Sequence, residues 1–361
     1  MQRGSARRGV FVLTVVVMMV AAGPASFAAG DSDDASLSEG CDSPTEHDLI
    51  GAGGKYSTPG GEGWVDVGGV RVWDDGVTLF VQFFTDVDNW RISGIHLHVG
   101  DTPDDVPQTK KGNTKPGKFD VKAEFDPWVT ETPIFEFPLS DFDGTPVIAA
   151  HADLWDSMTI SMVSKAGGAY VYGPLNEYAA IGDPSWVNPA PAVATWVHPL
   201  WPTIPGATWI SNTYYIEGVI APDTWRLFED TIPGTVMESY ELQTASMVTA
   251  TADNAEEVYV NGTLVGSDGV VQGPYVDNFE WGTLVDYDLA PYVNEGEDNE
   301  LSFIVRNYTG GASPQSNPTG LIYEIEADYL RGESGWGAGE DFGGKDWSMY
   351  LEYNTGACVL P

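Results

Sequence analysis

The feature that most constrains the fold is a series of short segments in which apolar and polar residues alternate. Five of these segments are GVTLFVQFFTD, EVYVNGTLVG, ELSFIVRNYTG, LIYEIEADYL and WSMYLEY. Alternation with period two is the pattern of a half-buried β-strand. The segments are separated by turn residues from a pool of 42 glycines and 24 prolines, and helical patterning is almost absent. The sequence therefore predicts an all-β protein with sandwich or jelly-roll architecture.

Chain length and a break in composition predict two β-sandwich or jelly-roll domains, the second inserted into the first. Residues 183–208 are dense in proline and tryptophan. Because proline cannot donate to a central ladder, this segment is predicted to be a connector or an edge. We expect the last strand-like run to return to the first domain. The outer domain then comprises residues 45–182 plus 331–361, and the insert comprises residues 209–330.

The N-terminus has the pattern of a secretory signal. Arg3, Arg7 and Arg8 precede an apolar stretch of about fifteen residues, which is short for a membrane span, and small residues follow. Residues 1–28 are predicted to be a signal peptide and residues 29–44 a flexible acidic leader. The alternative is an uncleaved membrane anchor. The pattern favours a secreted, extracellular or cell-surface protein.

The charge of the chain argues against two classes of partner. The sequence has 16 Lys+Arg and 53 Asp+Glu, a formal net charge of −37. Removal of the predicted signal takes away three arginines and leaves 13 basic against 53 acidic residues, or −40. Such a surface repels nucleic acid and anionic lipid, and it is typical of salt adaptation or of simple solubility.

Residues 209–330 resemble a galactose-binding-like jelly roll, the fold of many carbohydrate-binding modules. The stretches that carry the resemblance are TADNAEEVYVNGTLVG, YDLAPYVNEGEDNELSFIVRN and NPTGLIYEIEADY. The first contains an Asn-Gly pair, which favours the type I′ turn of a β-hairpin. The resemblance implies carbohydrate binding and a structural calcium ion, although the fold also serves adhesion and structural roles.

Residues 45–160 plus 331–356 resemble an uncharacterised domain of secreted archaeal and bacterial surface proteins. The stretches that carry this resemblance are ISGIHLHVGD, PQTKKGNTKPGKFDVKAEF, VIAAHADLW and WGAGEDFGGKDWSMYLEY. The resemblance implies a discontinuous outer domain and no known activity. The usual members of this domain family have little sequence between the AAHA-type strand and the WGxG tail, so the large insert of this chain is a departure from them.

Three histidines raise the question of a transition-metal site. His96 and His98 are two apart in a strand-like run and therefore share a face, and His151 lies in another such run. Imidazoles in this arrangement can bind zinc or copper. The other interpretation is that Ile95 and Leu97 face the core and that the histidines occupy an ordinary polar face. We expect that the three rings do not converge on one point.

Two groups of acidic residues are candidate calcium ligands. Calcium prefers several oxygen ligands from flexible loops. Neither group has the spacing of an EF-hand, and solvated turn residues would produce the same pattern. The groups are Asp86 with Asp88, and Asp101 with Asp104 and Asp105.

Thirteen tryptophans are many for a chain of this length. Exposed indole rings stack on the apolar faces of sugars, so tryptophans near strand ends are candidate binding residues, and core packing is the other interpretation. Trp225 and Trp281 are the candidates in the insert.

Catalytic motifs are absent from the sequence. It contains no GxSxG, HExxH, Walker or dinucleotide-binding pattern. With 53 acidic residues, any carboxylate pair for glycoside hydrolysis is unremarkable. The sequence favours a non-enzymatic extracellular protein that binds carbohydrate or assembles with itself. The alternative is a secreted hydrolase acting on polysaccharide.

Two cysteines and two sequons complete the candidate sites. Cys41 and Cys358 lie near the two ends of the mature chain, and an even count in an exported protein favours a disulfide. Asn261 and Asn307 begin N-x-Ser/Thr sequons and are expected at the surface.

One local charge anomaly is a lysine-rich segment. Five of the eight lysines fall within thirteen residues, so this cationic patch would dock an acidic polysaccharide or an acidic face of another copy, or would neutralise the acidic loop beside it. The five are Lys110, Lys111, Lys115, Lys118 and Lys122.

Overall fold

The structure is a computed structural model that describes most of the chain beyond its N-terminal region. The described ranges are 44–52, 64–215, 223–237, 239–274, 280–308 and 317–355. The predicted signal peptide, the acidic leader and both cysteines lie outside the described residues, and the disulfide between Cys41 and Cys358 stays a prediction.

The secondary structure of the described residues is almost entirely β, which confirms the predicted all-β class. The strands of the first half are β1 (Thr45–Ala52), β2 (Trp64–Asp74), β3 (Thr78–Thr85), β4 (Trp90–Gly100), β5 (Val121–Val129), β6 (Phe135–Pro138), β7 (Val147–Val163), β8 (Tyr170–Leu175), β9 (Ala190–Pro191), β10 (Val193–Ala194) and β11 (Ile210–Ser211). The strands of the second half are β12 (Thr224–Ile232), β13 (Thr235–Val236), β14 (Tyr240–Asp253), β15 (Ala255–Val260), β16 (Thr263–Asp268), β17 (Val285–Asp288), β18 (Asn299–Asn307), β19 (Gly320–Gly337), β20 (Glu340–Asp341) and β21 (Met349–Glu352). Four 3₁₀ turns connect them: Pro103–Asp105, Pro116–Lys118, Leu139–Asp141 and Glu280–Gly282. None of the helical segments in the described ranges has the length and hydrophobicity of a membrane span.

The period-two alternation in the sequence corresponds to an alternation of burial in the structure. In β3, every second residue of TLFVQFFT is buried and the residues between are half-buried. The Asn-Gly pair forms the expected turn between β15 and β16, with Val260 paired to Thr263 and positive φ angles at Asn261 and Gly262. The predicted hairpin is therefore confirmed.

The strands form two sheets. The larger sheet includes a continuous run in the order β3-β2-β1-β19-β7-β4-β5, and neighbouring strands in it are antiparallel. The smaller sheet has six strands in the order β16-β15-β18-β12-β8-β9. The terminal strand β21 pairs with the start of β7, where Leu351 lies opposite Ile148.

The first hydrophobic core lies inside a curl of the larger sheet. Apolar side chains of β1, β2 and β3 meet those of β4 and β7 there, including Phe83, Ile92, Leu97 and Leu154. Because these inward residues alternate with outward ones, the opposite faces of β4 and β7 are free for polar side chains.

The second core lies between the two sheets. Strands β14 and β19 of the larger sheet contribute one wall, and β12, β15 and β18 of the smaller sheet contribute the other. Phe303 of β18 and Tyr323 of β19 stack across this interface with ring centroids 5.0 Å apart. This half of the molecule is a β-sandwich.

Two long strands, β7 and β19, extend along both cores. Strand β7 contributes Leu154 to the first core and packs Ile160 against the second. Strand β19 contributes Ile325 to the second core and places Gly335 against Leu154 of the first. All described residues fall in one compact unit. The second core already begins at Ala169 and Val171, which the sequence analysis assigned to the outer domain. Strand β8 pairs with β12 in the smaller sheet. The division into a host domain and an insert therefore stays a prediction, and its first boundary does not coincide with the boundary between the cores.

The Pro/Trp-rich segment 183–208 packs onto the rest of the protein. Trp201 is 5% exposed and its indole nitrogen donates a hydrogen bond to Asp253 at 3.0 Å. Its ring stacks on Trp209, with centroids 4.1 Å apart. The tryptophans of this segment therefore bury apolar surface and hold the connection in place.

Candidate functional site

An open groove of about 890 Å³ crosses the outer face of β5, β4, β7 and β19. The register places Glu124, Gly94, Asp153 and Ser334 in one row across these four strands. Directly paired residues on neighbouring strands share a face of the sheet. The row therefore presents two carboxylates on either side of a glycine, with a serine at one end.

Gly94 opens the floor of the groove between the two carboxylates. A Cβ atom at this position would lie 3.1 Å from Oδ2 of Asp153 and 3.2 Å from the carbonyl oxygen of Ala123. Any side chain here would also occupy the space between Glu124 and Asp153. The glycine thus leaves both carboxylates accessible.

A pair of stacked tryptophans forms one wall of the groove. The rings of Trp128 and Trp155 are 4.9 Å apart between centroids and only 4° from parallel. Gly332, paired with Trp155, lies against the indole, and a Cβ there would be in van der Waals contact with the ring at 3.4 Å. Trp155 is thereby held between Trp128 and the sheet. Trp128 is 38% exposed.

A second cavity lies beside Trp128. It is lined by Arg91, Asp126, Pro127 and Trp128. The Arg91 guanidinium donates to the carbonyl of Asp88 at 2.7 Å, which fixes its position at the edge of the site. An exposed aromatic ring thus stands between polar groups on both sides.

Four residues of the groove were not predicted from the sequence: Trp128, Trp155, Glu124 and Asp126. A usable signal was present in VKAEFDPWV, where lysine and acidic residues alternate with apolar ones and a proline then interrupts the run. In β5 the alternating residues are indeed exposed and half-buried in turn. Pro127 and Trp128 lie where the register between β4 and β5 shifts, between the pairs Gly94–Glu124 and Ile92–Val129.

Two of the three predicted histidines meet above this groove. His96 and His151 are direct cross-strand partners on β4 and β7, and their ring centroids are 5.4 Å apart. Asp153 joins them, with its Oδ2 3.6 Å from Nδ1 of His96. His98 lies apart from this group, and its Nδ1 is 3.0 Å from a carboxylate oxygen of Asp120. The three histidines therefore do not form one cluster, as expected, but two of them form a cluster with an aspartate.

His151 is the most enclosed member of that cluster. Its ring packs edge-on against Trp336, with centroids 4.9 Å apart, and its Nδ1 is buried without a hydrogen-bond partner among the described residues. Burial, with a smaller contribution from His96, lowers the pKa of His151 to about 3. The imidazole is therefore neutral at physiological pH, with a lone pair on one nitrogen.

The predicted sugar-stacking tryptophans of the insert do not present free rings. Trp225 is 8% exposed, and its indole nitrogen donates to the carbonyl of Val271 at 2.9 Å. Trp281 is half-buried, and His198 packs edge-on against it with ring centroids 5.4 Å apart. Trp225 is therefore not an exposed platform for sugars. Its ring is buried in an apolar cluster with Leu227 and Ile304.

The two predicted calcium clusters occupy exposed turns. Asp101 accepts a hydrogen bond from the backbone of Asp143, and Asp105 accepts two from Thr102, whose bonds lower the pKa of its carboxyl group. Asp86, Asp88 and Asp104 are also exposed. Among the described residues, neither cluster brings three carboxylates within metal-ligand reach of one another. A structural calcium ion stays a prediction.

The two sequons have different surroundings. Asn261 is exposed at the hairpin turn, where its amide donates to Asn299 at 2.8 Å. Asn307 is 3% exposed in β18, opposite Thr224 of β12. Its expected surface position is therefore wrong, because the strand lies between two neighbours in the smaller sheet and its side chain points into the protein.

The lysine-rich segment lies beside the cluster of histidines. All five lysines are exposed, and Lys122 lies directly opposite His96 in the register. Its ammonium group donates to the carbonyl of Gly117. No salt bridge joins any of the five lysines to another described residue, and their role in docking a partner or another copy stays a prediction.

Comparison with known proteins identifies no family. No family model matches the sequence, and no curated protein matches it significantly. Solved structures with partial similarity include a lectin from Pleurotus ostreatus in complex with GalNAc, which is 13% identical and has a TM-score of 0.25, with coverage of 82% of this chain and 85% of the lectin. An α-L-rhamnosidase from Streptomyces avermitilis is 14% identical with a TM-score of 0.24, covering 78% of this chain and 26% of the enzyme.

A β-D-glucuronidase from Dictyoglomus thermophilum is 13% identical with a TM-score of 0.23, covering 45% of this chain and 28% of the enzyme. The chain thus spans about a quarter of the length of the two glycosidases. At TM-scores of 0.23–0.25, these structures say nothing about the ligand of this chain.

Proposed function

We propose that this chain is a secreted, non-enzymatic protein that binds uncharged polysaccharide in the groove across β5, β4, β7 and β19. The observation that carries the proposal is the exposed ring of Trp128, which is held parallel to Trp155 beside the carboxylates of Glu124, Asp126 and Asp153. The N-terminal signal pattern supports export.

A pyranose ring has the chemistry that fits these groups. Its axial C–H bonds form an apolar face that stacks on an indole, and its hydroxyl groups project from the rim as hydrogen-bond donors. Carboxylates accept up to about four hydrogen bonds each. A sugar lying on Trp128 would place hydroxyls toward Asp126 on one side and toward Glu124 and Asp153 on the other. An open groove also admits a chain that extends beyond one residue.

The charge of the site selects among glycans. Four acidic residues line the groove, and the chain has a formal net charge of −37. Uronic acids and sulfated sugars would be repelled at short range, where the Coulomb energy of two like charges is at least about 1 kcal/mol even in water. The preferred ligand is therefore a neutral polysaccharide.

The hydrolase alternative rests on one observation. Glu124 and Asp153 lie two strands apart with Gly94 between them. Two interstrand spacings separate their backbones by about 9.6 Å. In inverting glycosidases the carboxyl groups themselves lie about 6.5–9.5 Å apart, a separation that side chains projecting from these two backbones can reach. A measurement of polysaccharide hydrolysis therefore distinguishes the hydrolase from the binding protein.

The proposal is tested with the full chain on an array of neutral and acidic polysaccharides. We expect saturable binding to at least one neutral polysaccharide, weaker binding to acidic ones, and no release of reducing ends over long incubation. Binding that is confined to acidic glycans would contradict the assignment of the ligand. Release of reducing ends that is abolished by Glu124→Gln and by Asp153→Asn would show the enzyme instead.

A further inference from the structure

The cluster of His96, His151 and Asp153 forms a second site at the edge of the groove. One potential ligand atom from each residue lies within 4.8 Å of the other two. Among the described residues this is the one group of histidine and carboxylate side chains with such an arrangement. From this geometry we propose that the three residues bind a divalent transition-metal ion of the zinc type.

The distances match those of an open metal site. Tetrahedral zinc with bonds of about 2.0 Å holds neighbouring ligand atoms about 3.3 Å apart and two imidazole centroids about 5 Å apart. Nδ1 of His96 is 3.6 Å from Oδ2 of Asp153, and the centroids of His96 and His151 are 5.4 Å apart. Small side-chain rotations are enough to bring the ligands onto one ion.

The buried histidine supports the site independently of the acidic residue. Within the part of the chain that the structure describes, the Nδ1 atoms of both His96 and His151 are buried and have no hydrogen-bond partner. A buried polar atom without a partner is costly unless another group satisfies it.

The ligand set selects the class of ion. Two imidazoles and one carboxylate suit zinc and its first-row neighbours, whereas calcium and magnesium prefer oxygen ligands. The side chains of His96 and Asp153 are 23% and 49% exposed, so an ion can enter from solvent and keep a position for water. Asp153 lines the groove, so the ion would lie at its edge.

The test is metal titration of the full chain without a histidine tag. We expect one equivalent of Zn²⁺ to bind, and Co²⁺ to bind with the visible absorption of a tetrahedral site. His96→Ala is expected to weaken Zn²⁺ binding by about 100-fold or more, because it removes one of three ligands and loss of an outer-shell partner alone costs about 10–100-fold. Asp153→Asn is expected to weaken it by about tenfold or more, because it replaces the carboxylate by a neutral amide. Excess Ca²⁺ should not displace the ion.

His98→Ala is the matched control, because His98 is on the same strand and the same face but lies outside the cluster. This variant should bind Zn²⁺ like the unmodified chain. Circular dichroism confirms that each variant is folded before titration. The proposal is overturned if the unmodified chain binds no stoichiometric Zn²⁺ or Co²⁺, if folded His96→Ala binds as tightly, or if Ca²⁺ competes effectively.

Discussion

Removal of the Trp128 ring is the perturbation that most directly tests carbohydrate binding. Trp128 is 38% exposed. A fully exposed tryptophan side chain presents about 250 Å², so about 95 Å² of this ring faces solvent. A pyranose that covers half of it would remove about 100 Å² from water when the area of the sugar is included.

This area sets the size of the expected effect. At about 25 cal/mol per Å², the contact contributes about 2.5 kcal/mol, which corresponds to about 70-fold in Kd. Ordering of the sugar offsets part of the gain, so Trp128→Ala is expected to weaken binding between about tenfold and about 70-fold. The loss of stacking on Trp155 should lower the free energy of unfolding by about 0.5–1.5 kcal/mol, which leaves the protein folded.

The assay is isothermal titration with an oligosaccharide of the best-bound neutral polysaccharide. Tyr170→Ala is the matched control, since Tyr170 is 54% exposed and lies on β8 of the smaller sheet. Its affinity should equal that of the unmodified chain. If Trp128→Ala retains its affinity within about twofold while its thermal stability is little changed, the groove is not the binding site and the reasoning fails.

Three further predictions concern stability and modification. Burial raises the pKa of Asp253 to about 8, so between about pH 4 and pH 8 the folded state holds a proton that the unfolded chain has released. The free energy of unfolding should therefore fall by about 1.4 kcal/mol per pH unit over this range. Asp253→Asn should remove that slope in urea denaturation at several pH values, and an unchanged slope would contradict the pKa. Gly68→Ala should lower the free energy of unfolding by about 3 kcal/mol or more, because a Cβ would lie 2.2 Å from the carbonyl oxygen of Phe84. A melting temperature equal to that of the unmodified chain would refute this clash. In a glycosylating host, peptide mass spectrometry should find Asn307 unmodified, whereas Asn261 is accessible, and a glycan on Asn307 would show that β18 is not buried as described.

The sequence by itself determined the local structure of this protein. Strict alternation in TLFVQFFT and in IHLHV decided which side chains face the core, since the side chains of a strand point to opposite faces in turn. The histidines of β4 were therefore placed on the correct face, with Ile95 and Leu97 buried behind them. The Asn-Gly turn was equally predictable, because a type I′ turn requires positive φ angles at both positions.

Only the tertiary structure decided which strands lie side by side. Asp153 lies beside His96 and in one row with Glu124 because β4 pairs with both β5 and β7. Ser334 joins the same row from a strand nearly two hundred residues further along the chain than Asp153. Alternation gives the face of a residue and carries no information about the neighbour or the register. The same limit explains why Trp225 was predicted as an exposed platform and Trp128 was not predicted as a site residue. Whether an indole is covered depends on the layer packed against its strand, and that layer comes from distant parts of the sequence.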